Sequence, residues 1–323
     1  MKNIKKKRKR VILLLVTSLI ILLCYAPPVC LHTGLGTSHP ALYLNGPGEM
    51  YSIESLIRRN KLPLVVIYFI FLPNRINTPC SSSLPPLSLA AREAKFTTVR
   101  YLMLMGADVN IDNFSPFSSA LGASGRKKLA DRDRIIRYMI ENGLEVNPKD
   151  GEQTPLALAA ANCDTKVMKL LLDRGADVNT AAASGLTPLL YALKHECGSC
   201  ELFDLLVKKG ADVNATDDLH NTALHYVAAK MGMNYGLSAC LIDRGIDINA
   251  QNSEGNTFLH RMSWIGSSQI VELALDKGAD PNIRNHDGFT PLGLALQRKT
   301  SLFSADRRQA TVIKLLLNHG AVE

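Results

Sequence analysis

The sequence predicts an all-α solenoid of stacked helix-turn-helix units, and three observations carry that prediction. A Gly-Ala-Asp-Val-Asn-like pentapeptide returns at 106–110, 143–147, 175–179, 210–214, 245–249 and 278–282, with a shortened copy at 320–322. Its glycines step by 37, 32, 35, 35, 33 and 42 residues, a period typical of arrays whose units bury their apolar faces only against neighbours. Ahead of these glycines stand Thr154-Pro155-Leu156, Thr187-Pro188-Leu189, Thr222-Ala223-Leu224, Thr257-Phe258-Leu259 and Thr290-Pro291-Leu292, with weaker versions at 85–87 and 115–117. Between the two signals, apolar residues fall at i, i+3 and i+4, as in Val167, Leu170 and Leu171 or Ile270, Leu273 and Ala274.

Within a unit, each residue type has a reason. A Thr hydroxyl caps a helix start, and Pro is tolerated in the first turn because its missing N–H had no partner there. A short, Ala-rich first helix such as 156–161 lets neighbouring units approach closely. The closing Gly supplies the left-handed turn that stops the second helix. From Asn to the next Thr the spacing is eight for Asn179, Asn214, Asn249 and Asn282. Together these signals resemble the ankyrin repeat. The resemblance covers 49–323, about eight units, and implies β-hairpin fingers joining the helix pairs.

In chain order, the first element is a basic run, Lys2 and Lys5 to Arg10, abutting an uncharged stretch at 11–31. That arrangement reads as a cytoplasmic n-region at 1–10 followed by a signal anchor or transmembrane helix at 11–31, with the positive-inside rule placing the repeats across the membrane. Their compartment is then the periplasm for a bacterial source, or a lumen or the exterior for a eukaryotic one. A small-x-small cleavage site is absent and Pro27 and Pro28 follow Ala26, so an uncleaved anchor is expected. The alternative is a cleaved, secreted or periplasmic form. Residues 32–48, with Gly, Pro, Ser and Thr, read as a linker.

The same spacing ruler finds a degenerate first repeat at 51–77, where Val65, Tyr68 and Phe69 occupy the columns of Val167, Leu170 and Leu171. Its apolar run at 62–72 is too short to span a bilayer and is expected to be a core helix. An end unit is expected to be atypical. The finger after Asn110 is three residues short, so either the first units are tilted or the finger is missing. Insertions of about seven residues near 122–133 and about nine near 298–308 are expected as inter-helix loops. His225 and His260 are the two places where the family's hydroxyl-to-imidazole bond is expected.

Composition excludes some functions. The chain has 37 Lys and Arg against 29 Asp and Glu, but without the seven basic residues of the n-region the balance is 30 to 29. A nucleic-acid module needs its basic excess on the fold, so DNA or RNA is not an expected partner. No phosphate loop, G-x-G-x-x-G or H-E-x-x-H is present, and no small-molecule substrate, cofactor or metal is expected. Cys197-Gly-Ser-Cys200 admits four readings: a structural disulfide, free thiols, a metal half-site with Cys163 as a further ligand, or a redox pair. Cys240, in the column of Leu170 and Leu205, reads as a small buried hydrophobe.

In ankyrin-like proteins the late first-helix residues and the finger tips commonly form the binding face. Counting seven and eight beyond Thr names Lys194 and His195, Lys230, Trp264 and Ile265, and Arg298; the tips contribute Asp217, Asp218, His220, Glu254, Arg284, His286 and Asp287. Trp264 is the chain's only tryptophan, a residue type that anchors interfaces. The expected function is therefore a non-enzymatic, membrane-tethered protein-binding module whose mildly basic face suits an acidic partner. It would scaffold, stabilise or inhibit that partner, as the resemblance to bacterial envelope ankyrin proteins allows. Two alternatives remain, a secreted effector or toxin-immunity-type inhibitor, and a thiol-dependent enzyme built on Cys197 and Cys200.

Overall fold

The computed structural model describes residues 29–32, 41–44, 50–80, 83–123, 126–148, 153–230, 234–300 and 307–323. They fall into two compact units, Met1–Glu145 and Val146–Glu323. In the first unit, strands β1 (Val29–His32), β2 (Ala41–Leu44) and β3 (Met50–Tyr51) form an antiparallel sheet in the order β1-β2-β3. Val29 pairs with Leu44 and Leu42 with Tyr51. Parts of the expected linker are therefore strand, and 29–31, the last residues of the expected anchor, lie in β1. The basic run and 11–28 lie outside the described residues. Among the described residues no helix is long and apolar enough to cross a membrane.

Three helix pairs follow: α1 (Ile53–Arg58) with α2 (Leu62–Phe71), α3 (Pro86–Arg92) with α4 (Phe96–Met105), and α5 (Ile111–Leu121) with α6 (Arg126–Glu141). The apolar run becomes α2, with Val65 to Phe69 buried. Of the two readings of the short finger, the missing one is found: no finger follows Asn110, because α5 begins at the next residue. Nor is the insertion near 122–133 a loop: from Arg126 onward it is the start of α6, whose charged, strongly helix-forming sequence extends the second helix instead.

The second unit holds five pairs: α7 (Pro155–Ala161) with α8 (Thr165–Asp173), α9 (Pro188–Lys194) with α10 (Cys200–Lys208), α11 (Ala223–Lys230) with α12 (Tyr235–Ile242), α13 (Phe258–Ile265) with α14 (Ser268–Asp276), and α15 (Pro291–Thr300) with α16 (Arg307–Asn318). Thr154 and Thr187 cap α7 and α9 through their hydroxyls, accepting from Ala157 N at 3.0 Å and Leu190 N at 3.4 Å. The core repeats with the sequence: Leu156, Leu189, Leu224, Leu259 and Leu292 are all buried. Fully burying each such side chain contributes about 1.5–3 kcal/mol.

The pentapeptide has a second use beyond stopping a helix. Asn249 Oδ1 accepts from Asp280 N at 2.8 Å, while its Nδ2 donates to Gly278 O at 3.2 Å, so one side chain clamps the next unit's turn at two points. Asn147 and Asn179 do the same to Asp177 and Gly175 and to Asp212 and Gly210. Within each turn the Asp holds the Asn backbone, as Asp247 Oδ1 does for Asn249 N at 2.9 Å. The recurrent Asp-x-Asn is thus the hydrogen-bonded seam between units.

The fingers are hairpin-like turns rather than β-strands. Each closes on a backbone bond, such as Asn252 N to Asn256 O at 3.0 Å and Asn285 N to Phe289 O at 2.9 Å. Adjacent fingers are laced tip to tip: Asp218 N donates to Ser184 O, Ser253 N to Leu219 O at 2.9 Å and His286 N to Glu254 O at 3.0 Å. Gly255 sits at this contact with φ +76, and a Cβ there would lie 2.7 Å from His286 N. The close approach of the two fingers requires glycine.

Candidate partner-binding face

The residue five before Thr222, Thr257 and Thr290 builds the finger tip there. Asn252 Oδ1 accepts from Glu254 N at 3.1 Å and Asn256 N at 3.0 Å, an Asx turn that closes the finger. Asp217 occupies the same position and accepts from Leu219 N, Asn221 N and Nδ2, and from the Tyr226 hydroxyl at 2.7 Å. Burial by itself would raise the Asp217 pKa, but these donors outweigh it and hold the carboxyl below its ordinary value. The same contact, added to burial, pushes the Tyr226 phenol up. Asp217 is 8 % exposed. It is a structural residue of its finger and does not present a carboxylate to a partner.

Below the tips, Thr222 and Thr257 fix two imidazoles. His225 Nδ1 accepts from Thr222 N at 3.2 Å and lies 2.9 Å from its hydroxyl, and Nε2 faces Asn256 O at 2.9 Å. An N–H donor on one nitrogen and a carbonyl on the other assign the proton to Nε2. His260 repeats the arrangement with Thr257 and Phe289 O. Burial lowers both histidine pKa values, so both are neutral struts that carry each finger into the next.

Above these struts opens a cavity of about 420 Å³, with Trp264 in its wall and Glu254, Arg261 and Asp287 on its lining. Ala228, Ala229 and Leu294 supply apolar surface beside them. Arg298 donates to the Trp264 carbonyl and sets its guanidinium 5.6 Å from the indole centroid, fixing the ring from the following unit. Glu254 is held by Asn256, whose Nδ2 donates to Oε2 at 2.9 Å. Of the residues expected on the binding face, the fold thus gathers Trp264, Glu254 and Asp287 on one cavity, with Arg298 behind.

The others lie elsewhere. Lys194 and His195 are exposed at the end of α9, where the His195 ring stacks on Tyr191 with centroids 5.0 Å apart. Ile265 is half-buried next to Trp264. Asp218, His220 and His286 are exposed tip residues off the cavity lining. Arg284 is used internally, donating to Gly288 O at 2.7 Å and Glu323 O at 2.8 Å. The Lys230 side chain lies outside the described residues. Arg261 was not expected on this face; it belongs to a column four after Thr, with Tyr191, Tyr226 and Leu294, that the same spacing defines.

The cysteines pair differently from the expectation. Cys197 and Cys200 do not bond to each other: Cys163–Cys197 and Cys200–Cys240 are the disulfides, with Cα–Cα distances of 5.1 and 6.0 Å. Cys240 is thus a bonded residue rather than a free apolar one. Two inter-repeat staples run through three successive units, and Cys197 and Cys200 belong to different staples because Cys197 sits before α10 and Cys200 at its start. Among the described residues, no group of three or more His, Cys, Asp or Glu is placed to hold a metal ion. Cys80 is a buried free thiol whose pKa burial pushes up to about 12.

A family model described as "Ankyrin repeats (3 copies)" matches residues 128–217, 189–285 and 224–323, together more than half of the chain. The chain belongs to the ankyrin repeat family. Ankyrin repeats serve generally as protein-interaction modules. An ankyrin repeat protein of Pyrobaculum aerophilum is 36% identical over 86 residues, 26% of this chain and 32% of its own length. Ankyrin repeat and SOCS box protein 6 of Mus musculus is 31% identical over 100 residues, 30% of this chain and 23% of its own. Alpha-latrocrustotoxin-Lt1a of Latrodectus tredecimguttatus is 31% identical over 130 residues, 39% of this chain and 9% of its own. The chain spans about a third or less of the length of each of these relatives.

Proposed function

We propose that this chain is a non-enzymatic module that binds a protein partner through the first-helix and finger-tip face of its second unit, tethered to a membrane with the repeats on the extracytoplasmic side. The cavity walled by Trp264 carries the binding reading, since a fixed, half-buried aromatic beside charged tips is the composition of an interface anchor. The location rests on two independent features. The basic run before the uncharged stretch at 11–31 has the pattern of an inserted anchor, and disulfides such as the two inter-repeat staples persist in oxidising compartments. Within this reading the module scaffolds, stabilises or inhibits its partner.

A thiol-dependent enzyme is disfavoured by the pairing: a C-x-x-C redox couple cycles through a bond between its own two sulfurs, and here each sulfur bonds elsewhere. A cleaved, diffusible form is the alternative to the tether. The binding reading is tested by affinity capture from host membranes and envelope with the parent chain and Trp264→Ala in parallel. A partner retained by the parent and lost by the folded variant supports it, whereas capture of nothing by either chain refutes it.

A further inference from the structure

We propose that the Trp264 cavity receives a cationic side chain, an arginine or lysine projecting from the protein partner; the inference rests on the reading of this face as a protein-binding surface. Charge, hydrogen-bond balance and shape lead to it in turn.

Charge comes first. The lining carries two carboxylates, Glu254 and Asp287, against one guanidinium, Arg261. Arg298 does not lie on the lining, and its guanidinium is engaged by the Trp264 carbonyl and ring. His225 and His260 add no charge, because their two nitrogens are held by the Thr–carbonyl arrangement that fixes the neutral tautomer. The face as a whole reads as mildly basic from sequence, but the lining of the Trp264 cavity carries one more carboxylate than guanidinium.

The polar groups inside point the same way. The four asparagines on the lining donate to the finger framework: Asn221 Nδ2 to Asp217, Asn252 Nδ2 to Asn221, Asn256 Nδ2 to Glu254 and Asn285 Nδ2 to Asn256. With those amide donors committed to the framework, the strong acceptors on the lining are the carboxylate oxygens of Glu254 and Asp287. Asn256 anchors one oxygen of Glu254 and leaves the other to accept. The backbone bond from His286 N to Glu254 O locks the two tips together, so Glu254 and Asp287 are presented as a pair on adjacent fingers. A ligand rich in N–H donors and carrying positive charge complements that pair.

Shape and apolar surface complete the case. Long basic side chains lay an aliphatic stem on apolar surface and keep the charged head among acceptors. Trp264, Ala228, Ala229 and Leu294 offer the first, the paired tips the second. An indole wall adds attraction for the cation itself.

Because Trp264 is the only tryptophan, its fluorescence reports on this cavity alone. The full chain is titrated with N-acetyl-arginine amide and N-acetyl-lysine amide, with N-acetyl-norleucine amide and N-acetyl-glutamate amide as controls. Saturable changes are expected with the two cationic amides, weakened about tenfold by the double variant Glu254→Gln, Asp287→Asn and not weakened by Arg261→Gln. Glutamine at 254 keeps an oxygen for Asn256, so the finger is preserved. Equal affinity for norleucine amide, tighter binding of glutamate amide, or indifference to the double variant overturns the proposal. If the cationic amides fail while Trp264→Ala still removes a captured partner, the cationic occupant falls and the protein-binding reading stands.

Discussion

Severing the Cys163–Cys197 staple should weaken the second unit by a measurable and calculable amount. The bond closes a segment with a sequence separation of 34 residues. In the chain-entropy treatment, closing a loop of that length contributes about 3.8 kcal/mol at 25 °C. Cys200–Cys240, with a separation of 40, contributes about 3.9 kcal/mol by the same relation. The two loops follow one another without overlap, so their effects on the unfolded chain are independent. For a domain of this size, each lost staple translates to a fall in Tm of about 8–15 °C.

The perturbation is Cys163→Ser with Cys197→Ser, which removes both sulfurs of the staple and leaves neither partner as an unpaired thiol. Thermal unfolding followed by circular dichroism gives the shift, and a reductant added to the parent should reproduce the loss from both staples. Alkylation in denaturant without reductant, read by mass spectrometry, should leave Cys163, Cys197, Cys200 and Cys240 unlabelled while Cys80 reacts. Labelling of all four in protein purified from its native compartment, together with a Tm that reductant does not move, would refute the reasoning. It would also remove one of the two supports for an extracytoplasmic location.

Three further outcomes follow from the geometry. Asn249→Ala deletes both bonds of one inter-unit clamp and should cost about 1–3 kcal/mol in denaturant unfolding; an unchanged midpoint would contradict the seam. Burial depresses the pKa of His225 and His260, so the unfolded chain takes up protons first as pH falls through about 6.5. Stability should be complete above that pH and decline below it by up to about 1.4 kcal/mol per pH unit per histidine. His225→Gln with His260→Gln should flatten that slope between pH 6.5 and 5, and a slope equal to the parent's would exclude these histidines as its source. The depressed Asp217 carboxyl acts in a separate window, its stabilisation being lost only below about pH 4. Gly255→Ala places an L side chain at φ +76, costing about 1–2 kcal/mol from conformation, and drives a Cβ against His286 N. Its amide-exchange spectrum should show loss of protection at His286, and full protection there would argue against the finger contact.

Most of the helix pairs were legible because the chain repeats itself. Thr at a cap, Pro in a first turn and Gly at a helix end each act locally, so their spacing transfers directly into structure. The misses lie where local signals compete. After Asn110 only the four residues 111–114 precede Ser115, with no Gly among them and three fewer than a finger uses, and the helix simply starts early. Insertion length alone reads as a loop near 122–133, but Arg126, Lys127, Lys128, Leu129 and Ala130 are good helix formers, and the neighbouring helix needed only to lengthen. The β1–β3 pairing had no periodic signal of its own in short segments separated by Gly and Pro.

For the face, the ruler located side chains but could not say which of them are occupied. Trp264, Glu254 and Asp287 fall where the columns put them, whereas Asp217 is consumed by four donors and Arg284 by two carbonyls of its own chain. That difference is invisible in spacing, because Asp217 and Asn252 share a column and only the Tyr at 226 gives the carboxylate a fourth donor. Cysteine pairing fails for the same reason. A C-x-x-C motif draws attention to its own two sulfurs, yet stacking brings each of them to a cysteine about one repeat away, with Cα–Cα distances of 5.1 and 6.0 Å. In an array, the partner of a residue is found first one period away, and that rule joins Cys163 to Cys197, Cys200 to Cys240 and every clamp asparagine to the turn that follows it.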